Sequence, residues 1–143
     1  MDHLRITSVL EEMDFERIYG FLSQSYWAKG VPEQTLHTAM QHSWCFAVLN
    51  EANETLAFAR LVTDHATFAY LADVFVDPAS RGQGISKYLV AHILAQPEVE
   101  GMRRIMLATA DAHSLYAKYG FVPINQPEKL MQIHRPDIYL TIA

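Results

Sequence analysis

Cysteine is nearly absent from this chain, with Cys45 the only one. A lone thiol closes no internal disulfide and assembles no thiolate metal cluster, so packing must hold the fold, and a reducing cytoplasm suits it. Basic residues are also scarce, 11 Lys and Arg against 16 Asp and Glu, for a formal net charge of −5. That balance argues against a protein built to coat nucleic acid, which needs its cations gathered on one face, and mildly favours cationic partners. Long apolar runs are missing too; none approaches the roughly 20 residues of a membrane span. Met1-Asp2-His3-Leu4-Arg5 lacks the basic region, apolar stretch and cleavage site of a secretion signal, and runs directly into the strand-like Ile6-Thr7-Ser8-Val9. No repeat, linker or low-complexity tract interrupts the 143 residues, which read as one domain, 1–143, and no membrane partner is expected.

What is present is a regular change of hydrophobic period. Met13, Ile18, Phe21 and Leu22 fall at helical spacing between Glu11 and Ser25, with Asp14 and Glu16 near the positive end of the helix dipole. Gly30-Val31-Pro32 breaks the chain, and Pro32 opens a second helical stretch through Leu36, Ala39 and Met40. Cys45–Leu49 and Leu56–Val62 read as a hairpin about a polar turn, and the β-branched and aromatic run from Thr67 to Val76 as a third core strand. Ile85, Leu89, Val90, Ile93 and Leu94 mark one face of a helix that Pro97 stops, Arg104–Leu107 returns to strand, and Asp111–Tyr119 is helical with Gly120 as its stop. Strands are expected near Leu130–Ile133 and Ile138–Ile142. The order β-α-α-β-β-β-α-β-α-β-β predicts an α/β (α+β) fold, a mixed, mainly antiparallel sheet flanked by helices, with Thr67–Leu107 a parallel, right-handed crossover.

One segment breaks a local rule. A helix start that reads Arg81-Gly82-Gln83-Gly84-Ile85-Ser86 spends two glycines, each costing about 1 kcal/mol relative to Ala inside a helix. Glycine lets backbone approach a ligand, and the first N–H groups of a helix are unpaired donors at its positive end, so an anion belongs there. Arg81 and Lys87 add charge. A plain tight turn is the other reading of two glycines. A dinucleotide fingerprint would need glycine where Lys87 stands, and a Walker loop would need Gly-Lys-Ser/Thr where the order is Gly84-Ile85-Ser86-Lys87.

The same segment resembles the signature of the GNAT acetyltransferase superfamily, Arg/Gln-x-x-Gly-x-Gly/Ala after a strand ending in Val-x-Pro: here Val76-Asp77-Pro78, then Arg81, Gly84 and Ser86. Ser86 departs from Gly or Ala but is small enough to keep the amide accessible. Downstream, Ala112-His113-Ser114-Leu115-Tyr116-Ala117-Lys118-Tyr119-Gly120-Phe121 is similar to the family's Ala-x-x-x-Tyr-x-x-x-Gly-Phe helix. The resemblance covers essentially the whole chain, with the specific motifs between residues 74 and 121.

It implies transfer of acetyl from acetyl-coenzyme A to a primary amine of a small molecule, peptide or protein by direct attack, with no metal. The implied cofactor grip is Val74, Phe75 and Val76, presenting backbone to the pantetheine arm, then Arg81, Gly82, Gln83, Gly84, Ile85, Ser86 and Lys87 around the pyrophosphate, with Asp111 beside them. The strand holding Val76 is implied to splay from its neighbour, leaving a slot where a backbone N–H stabilises the oxyanion. Tyr116 falls at the family's general acid. Many relatives carry a glutamate before the signature; here Asp73 is the one carboxylate among residues 70 to 73. Asp73 is a candidate base, directly or through water, and equally an anchor for a cationic substrate or for backbone donors. Thr109 stands where Asn is common; Asp111 or His113 could compensate, although His113 reads first as a surface or core-satisfied histidine. Acceptor recognition is implied for Tyr26, Trp27, Lys29 and Tyr70, although Trp27 could also fill the gap between the first two helices. Relatives pair through the last strands, so a homodimer is implied. A non-catalytic acyl-coenzyme A binding or sensing module is the alternative, which the missing glutamate and Thr109 favour.

Overall fold

The run Trp44-Cys45-Phe46-Ala47-Val48-Leu49 is apolar at every position, and a strand of that composition must be covered on both faces. A computed structural model describing residues 1–140 shows how. In chain order the main elements are β1 (Arg5–Thr7), α1 (Phe15–Leu22), α2 (Glu33–Gln41), β2 (Trp44–Leu49), β3 (Thr55–Thr63), β4 (Phe68–Val76), α3 (Ile85–Leu94), the single turn α4 (Pro97–Glu100), β5 (Arg104–Leu107) and α5 (His113–Ala117). The five strands form one sheet in the order β1-β2-β3-β4-β5, antiparallel except for the parallel β4–β5 pair. The expected mixed, mainly antiparallel α/β architecture is therefore present.

Alternation along the strands divides the core. Phe46, Val48, Ala57, Ala59 and Leu61 pack with Ile85, Leu89, Val90 and Ile93 of α3. Cys45, Ala47, Leu49, Phe58 and Phe75 point the other way, onto Ile18 and Leu22 of α1 and Leu36 and Met40 of α2. Asp14 caps α1, its carboxylate accepting from the Arg17 amide, and Pro97 opens α4 after α3 has ended at Leu94.

The final segment departs from the sequence expectation. Leu130–Ile133 forms no strand, Ile138–Leu140 is a 3-10 turn rather than strand, and the end of that expected strand lies outside the described residues. The segment has the apolar residues of a strand without a sheet face to receive them: Met131 is 96% and Ile133 83% exposed. Pro123, Pro127 and Pro136 each remove a ladder donor from it.

Cys45 sits in the α1–α2 side of the core, 2% exposed, and burial pushes its thiol up to about 12. The thiolate is the reactive form, so at pH 8 native protein should resist iodoacetamide for hours while urea-unfolded protein is alkylated within minutes; mass spectrometry of the intact chain reads the difference. Rapid native labelling would place Cys45 in an open site.

Candidate active site

β4 outlasts its partner. It pairs with β5 only from Phe68↔Arg104 to Leu71↔Leu107, then runs on to Val76 with no β5 residue beside it. Past Leu107 the chain turns through Ala108–Ala112 into α5, and the divergence opens a cavity of about 710 Å³ lined by residues of β4, this turn, α5 and the α1–α2 connection. Tyr26, Trp27, Tyr70, Asp73, Val74, Asp111 and Tyr116 all line it.

At the mouth of the slot β4 carries a bulge. On β3 the register passes from Phe58 to Arg60 while on β4 it passes from Phe75 to Ala72, so Asp73 and Val74 together face Ala59. Asp73 is left-handed, φ +57, a conformation that costs about 1–3 kcal/mol in a non-glycine residue and that Asp tolerates better than most. Its carboxylate is held from two sides. The Trp27 indole N–H donates to Oδ1 at 2.9 Å and Arg60 Nε donates to Oδ2 at 2.8 Å. Arg60 Nη1 donates in turn to Ser43 Oγ at 3.0 Å. The Arg60 and Asp73 side chains are 18% and 9% exposed, so the pair is largely shielded from water.

Tyr116 stands in the opposite wall, 8% exposed, its ring edge-on to Phe121 at 5.8 Å. Burial raises its phenol above the ordinary range, which keeps the proton on Oη at neutral pH. Thr109, where the family often has Asn, accepts from the Ala112 amide at 3.0 Å and orders the entry to α5. His113 does not line this cavity and lies instead along the groove beside β5.

Beyond the C-terminal end of β4 lies the glycine segment. Gly82 and Gly84 both have φ +80, and Gly84 is the left-handed residue that starts α3 without a side-chain cap. Residues 81–84 are exposed, and a Cβ at Gly82 would meet nothing within 4 Å, so that backbone is open to a ligand. Glycines in a left-handed conformation, uncapped helix N–H groups, Arg81 and Lys87 fit a diphosphate. Tyr119 Oη donates to the Lys87 carbonyl at 3.0 Å, tying α5 to the first turn of α3.

The structure thus separates the expected residues into two regions. Val76 and the segment from Arg81 to Lys87 lie outside the cavity lining, and Arg81 Nε donates to the Val76 carbonyl at 3.3 Å. Phe75 and Ile85 turn their side chains into the core, Phe75 stacking on Phe21 at 4.3 Å, so each brings only backbone. Lys29 is not among the cavity residues. Sequence reasoning missed Arg60, His134 and Tyr139, which line the cavity. Arg60 had a signal, since it is the one charged residue in β3; the other two come from the segment read as strands.

A family model described as an acetyltransferase (GNAT) domain matches residues 41–123, more than half of the chain and the part that holds the slot and the glycine segment. The chain belongs to the GNAT acetyltransferases. A GNAT-family protein of Xanthomonas campestris pv. campestris has a solved structure that superimposes with a TM-score of 0.94 at 44% identity, over 99% of each chain. The [ribosomal protein bS18]-alanine N-acetyltransferase of Haemophilus influenzae is 29% identical over 82% of each chain. A Gibberella zeae protein assigned as an acetyltransferase is 26% identical over 65% of this chain, which spans 63% of that relative's length. The GNAT family uses acetyl-coenzyme A, and among the described residues no cluster of His, Cys, Asp and Glu could hold a metal ion.

Gly84→Ala forces a Cβ into a left-handed position 3.2 Å from Met1 Cε. It should cost about 1–2 kcal/mol, a fall of roughly 3–8 °C in Tm, and should weaken coenzyme A binding in calorimetry at least tenfold. Undiminished binding would separate this GNAT's glycine segment from the cofactor.

Proposed function

We propose that the chain transfers an acetyl group from acetyl-coenzyme A to a primary amine, the two substrates meeting in the slot between β4 and the Ala108–Ala112 turn. The observation that carries this reading is that slot: a strand pair that parts after Leu71 and Leu107, with a buried tyrosine in one wall and a glycine segment of uncapped helix amides beyond the end of the longer strand.

Acetyl-coenzyme A would supply the activated thioester. Amides between Gly82 and Lys87, with Arg81 and Lys87, would hold its pyrophosphate, and backbone of Val74, Phe75 and Val76 its pantetheine arm, with Asp111 at the turn beside them. A backbone N–H at the bulge would stabilise the charge developing on the carbonyl oxygen. Tyr116 keeps its proton on Oη and would give it to the departing sulfur. Asp73 would shape the acceptor side of the slot, and Tyr26, Trp27 and Tyr70 would contact the acceptor.

Support for an amine acceptor comes from the family and from the Haemophilus relative, named for an alanine of a ribosomal protein, so peptide N-termini belong in the panel beside small amines. A cytoplasmic setting suits the lone, buried thiol. A homodimer belongs to the same reading: the outer edge of β5 has no strand beside it among the described residues, and Val122, Met131 and Ile133 are exposed. Sedimentation equilibrium should show two copies at micromolar concentration; a monomer there removes this part.

One observation favours a non-catalytic acyl-coenzyme A module. Both oxygens of the Asp73 carboxylate are engaged within the chain, by Trp27 and Arg60, rather than turned to an incoming amine. Coenzyme A raising Tm while no amine or peptide ever releases free thiol would establish that alternative.

Tyr116→Phe should lower kcat roughly 10²-fold with coenzyme A affinity kept, measured by thiol release and calorimetry. Because burial raises the phenol, the proton it donates is retained up to the ordinary tyrosine range and lost only above it, so kcat should show no basic limb from this group below about pH 10. Unchanged turnover in the variant removes Tyr116 from the mechanism.

A further inference from the structure

We propose that Arg60 is a positioning residue for acyl transfer: it holds the Asp73 bulge in its left-handed form and, through Asp73, joins the bulge to the Trp27 connection on the acceptor side. This rests on the reading of the slot as the acetyl-transfer site.

At the bulge the β3–β4 ladder is interrupted, since Asp73 and Val74 share one partner, Ala59. Left-handed backbone in mid-strand is therefore not held by regular cross-strand bonding. Something else must fix it. The side chain does, because both carboxylate oxygens of Asp73 are engaged, Oδ2 by Arg60 Nε at 2.8 Å and Oδ1 by Trp27 Nε1 at 2.9 Å. The two donors come from separate elements, one on β3 and one between α1 and α2. Arg60 is itself anchored at 3.0 Å to Ser43, just before β2, so the chain Trp27–Asp73–Arg60–Ser43 runs from the α1–α2 connection across β4 and β3 to the start of β2.

The chemistry of each partner suits the task. A planar guanidinium offers several donors in a fixed fork, so Arg60 can grip Asp73 and Ser43 at once; a lysine at the same place is a single point charge. The indole N–H is a donor only, and its bond to Oδ1 ties the acceptor-side connection to β4. A carboxylate gripped on one oxygen by a guanidinium and on the other by an indole is held in place. Its office is to set backbone, and the proton traffic of the reaction falls to other groups.

The test uses the full chain, with Arg60→Met, Asp73→Asn, Trp27→Phe and the Arg60→Met/Asp73→Asn pair. Each single change at Arg60 or Asp73 should lower kcat roughly tenfold, leave the KM for acetyl-coenzyme A and the calorimetric affinity for coenzyme A within about twofold, and the double variant should fall no further than the worse single. Arg60→Lys should recover only part of the loss. Independently of activity, amide hydrogen exchange at residues 72–75 should speed at least tenfold in Arg60→Met. Trp27→Phe, which removes one N–H and keeps an aromatic ring, gives the same exchange readout in milder form should Arg60→Met fold poorly. The proposal is overturned by unchanged exchange in these variants. It is overturned as well if Asp73→Asn falls a further hundredfold below Arg60→Met and loses an acidic limb in kcat/KM, the signature of Asp73 as the base. Absence of turnover in the parent protein, with exchange responding as expected, would instead count against acetyl transfer and leave the positioning role standing.

Discussion

The extra residue in β4 is the constraint on which the slot depends. A strand that stayed in register with β3 through Asp73 would keep its amides in the ladder and lie flat beside β5. One inserted residue turns the strand locally and re-aims the backbone that follows. The bulge in turn requires Asp73 to occupy backbone space that most side chains avoid, and the bonds from Arg60 and Trp27 offset that cost. An ion pair so placed would be a weak source of net stability, since desolvation takes back much of the attraction. Its value lies in geometry.

The two-faced core makes this local strain affordable. With α3 on one face and α1 and α2 on the other, β2 and β3 are buried on both sides, so the neighbour of the bulged strand is fixed where the ladder between them is broken. The slot then lies at the other margin, where β4 and β5 part and the chain just past α5 approaches α3 through the Tyr119 bond to Lys87. Glycine segment and slot are different regions of the surface linked by one strand end and one helix, which is why side chains expected to act together divide between them.

Most of this was legible from residue order. The unbroken apolar run Cys45–Leu49, the helical spacing from Ile85 to Leu94 and the strand at Arg104–Leu107 reappear in the structure almost residue for residue, because each is set by local pattern and burial. The glycine segment was legible for another reason, since two left-handed positions leave little choice of residue. Less visible was anything requiring two distant parts of the chain. Arg60 stood out as a charge in an apolar strand, but its partner is set by a bulge, and register shifts leave no mark in hydrophobic period. The last segment misled because apolar residues at Leu130–Ile133 carry a strand's composition, while the prolines around them remove ladder donors.

One wall of the cavity is made by His134 and Tyr139, which belong to that irregular segment and contribute nothing to either core cluster. Tyr116 and the bulged strand, which also line it, are anchored in the packed interior. The pocket is thus divided between a part whose residues are answerable to folding and a part whose residues are not. Substitutions at positions 134 and 139 can therefore reshape one side of the cavity without touching either core cluster.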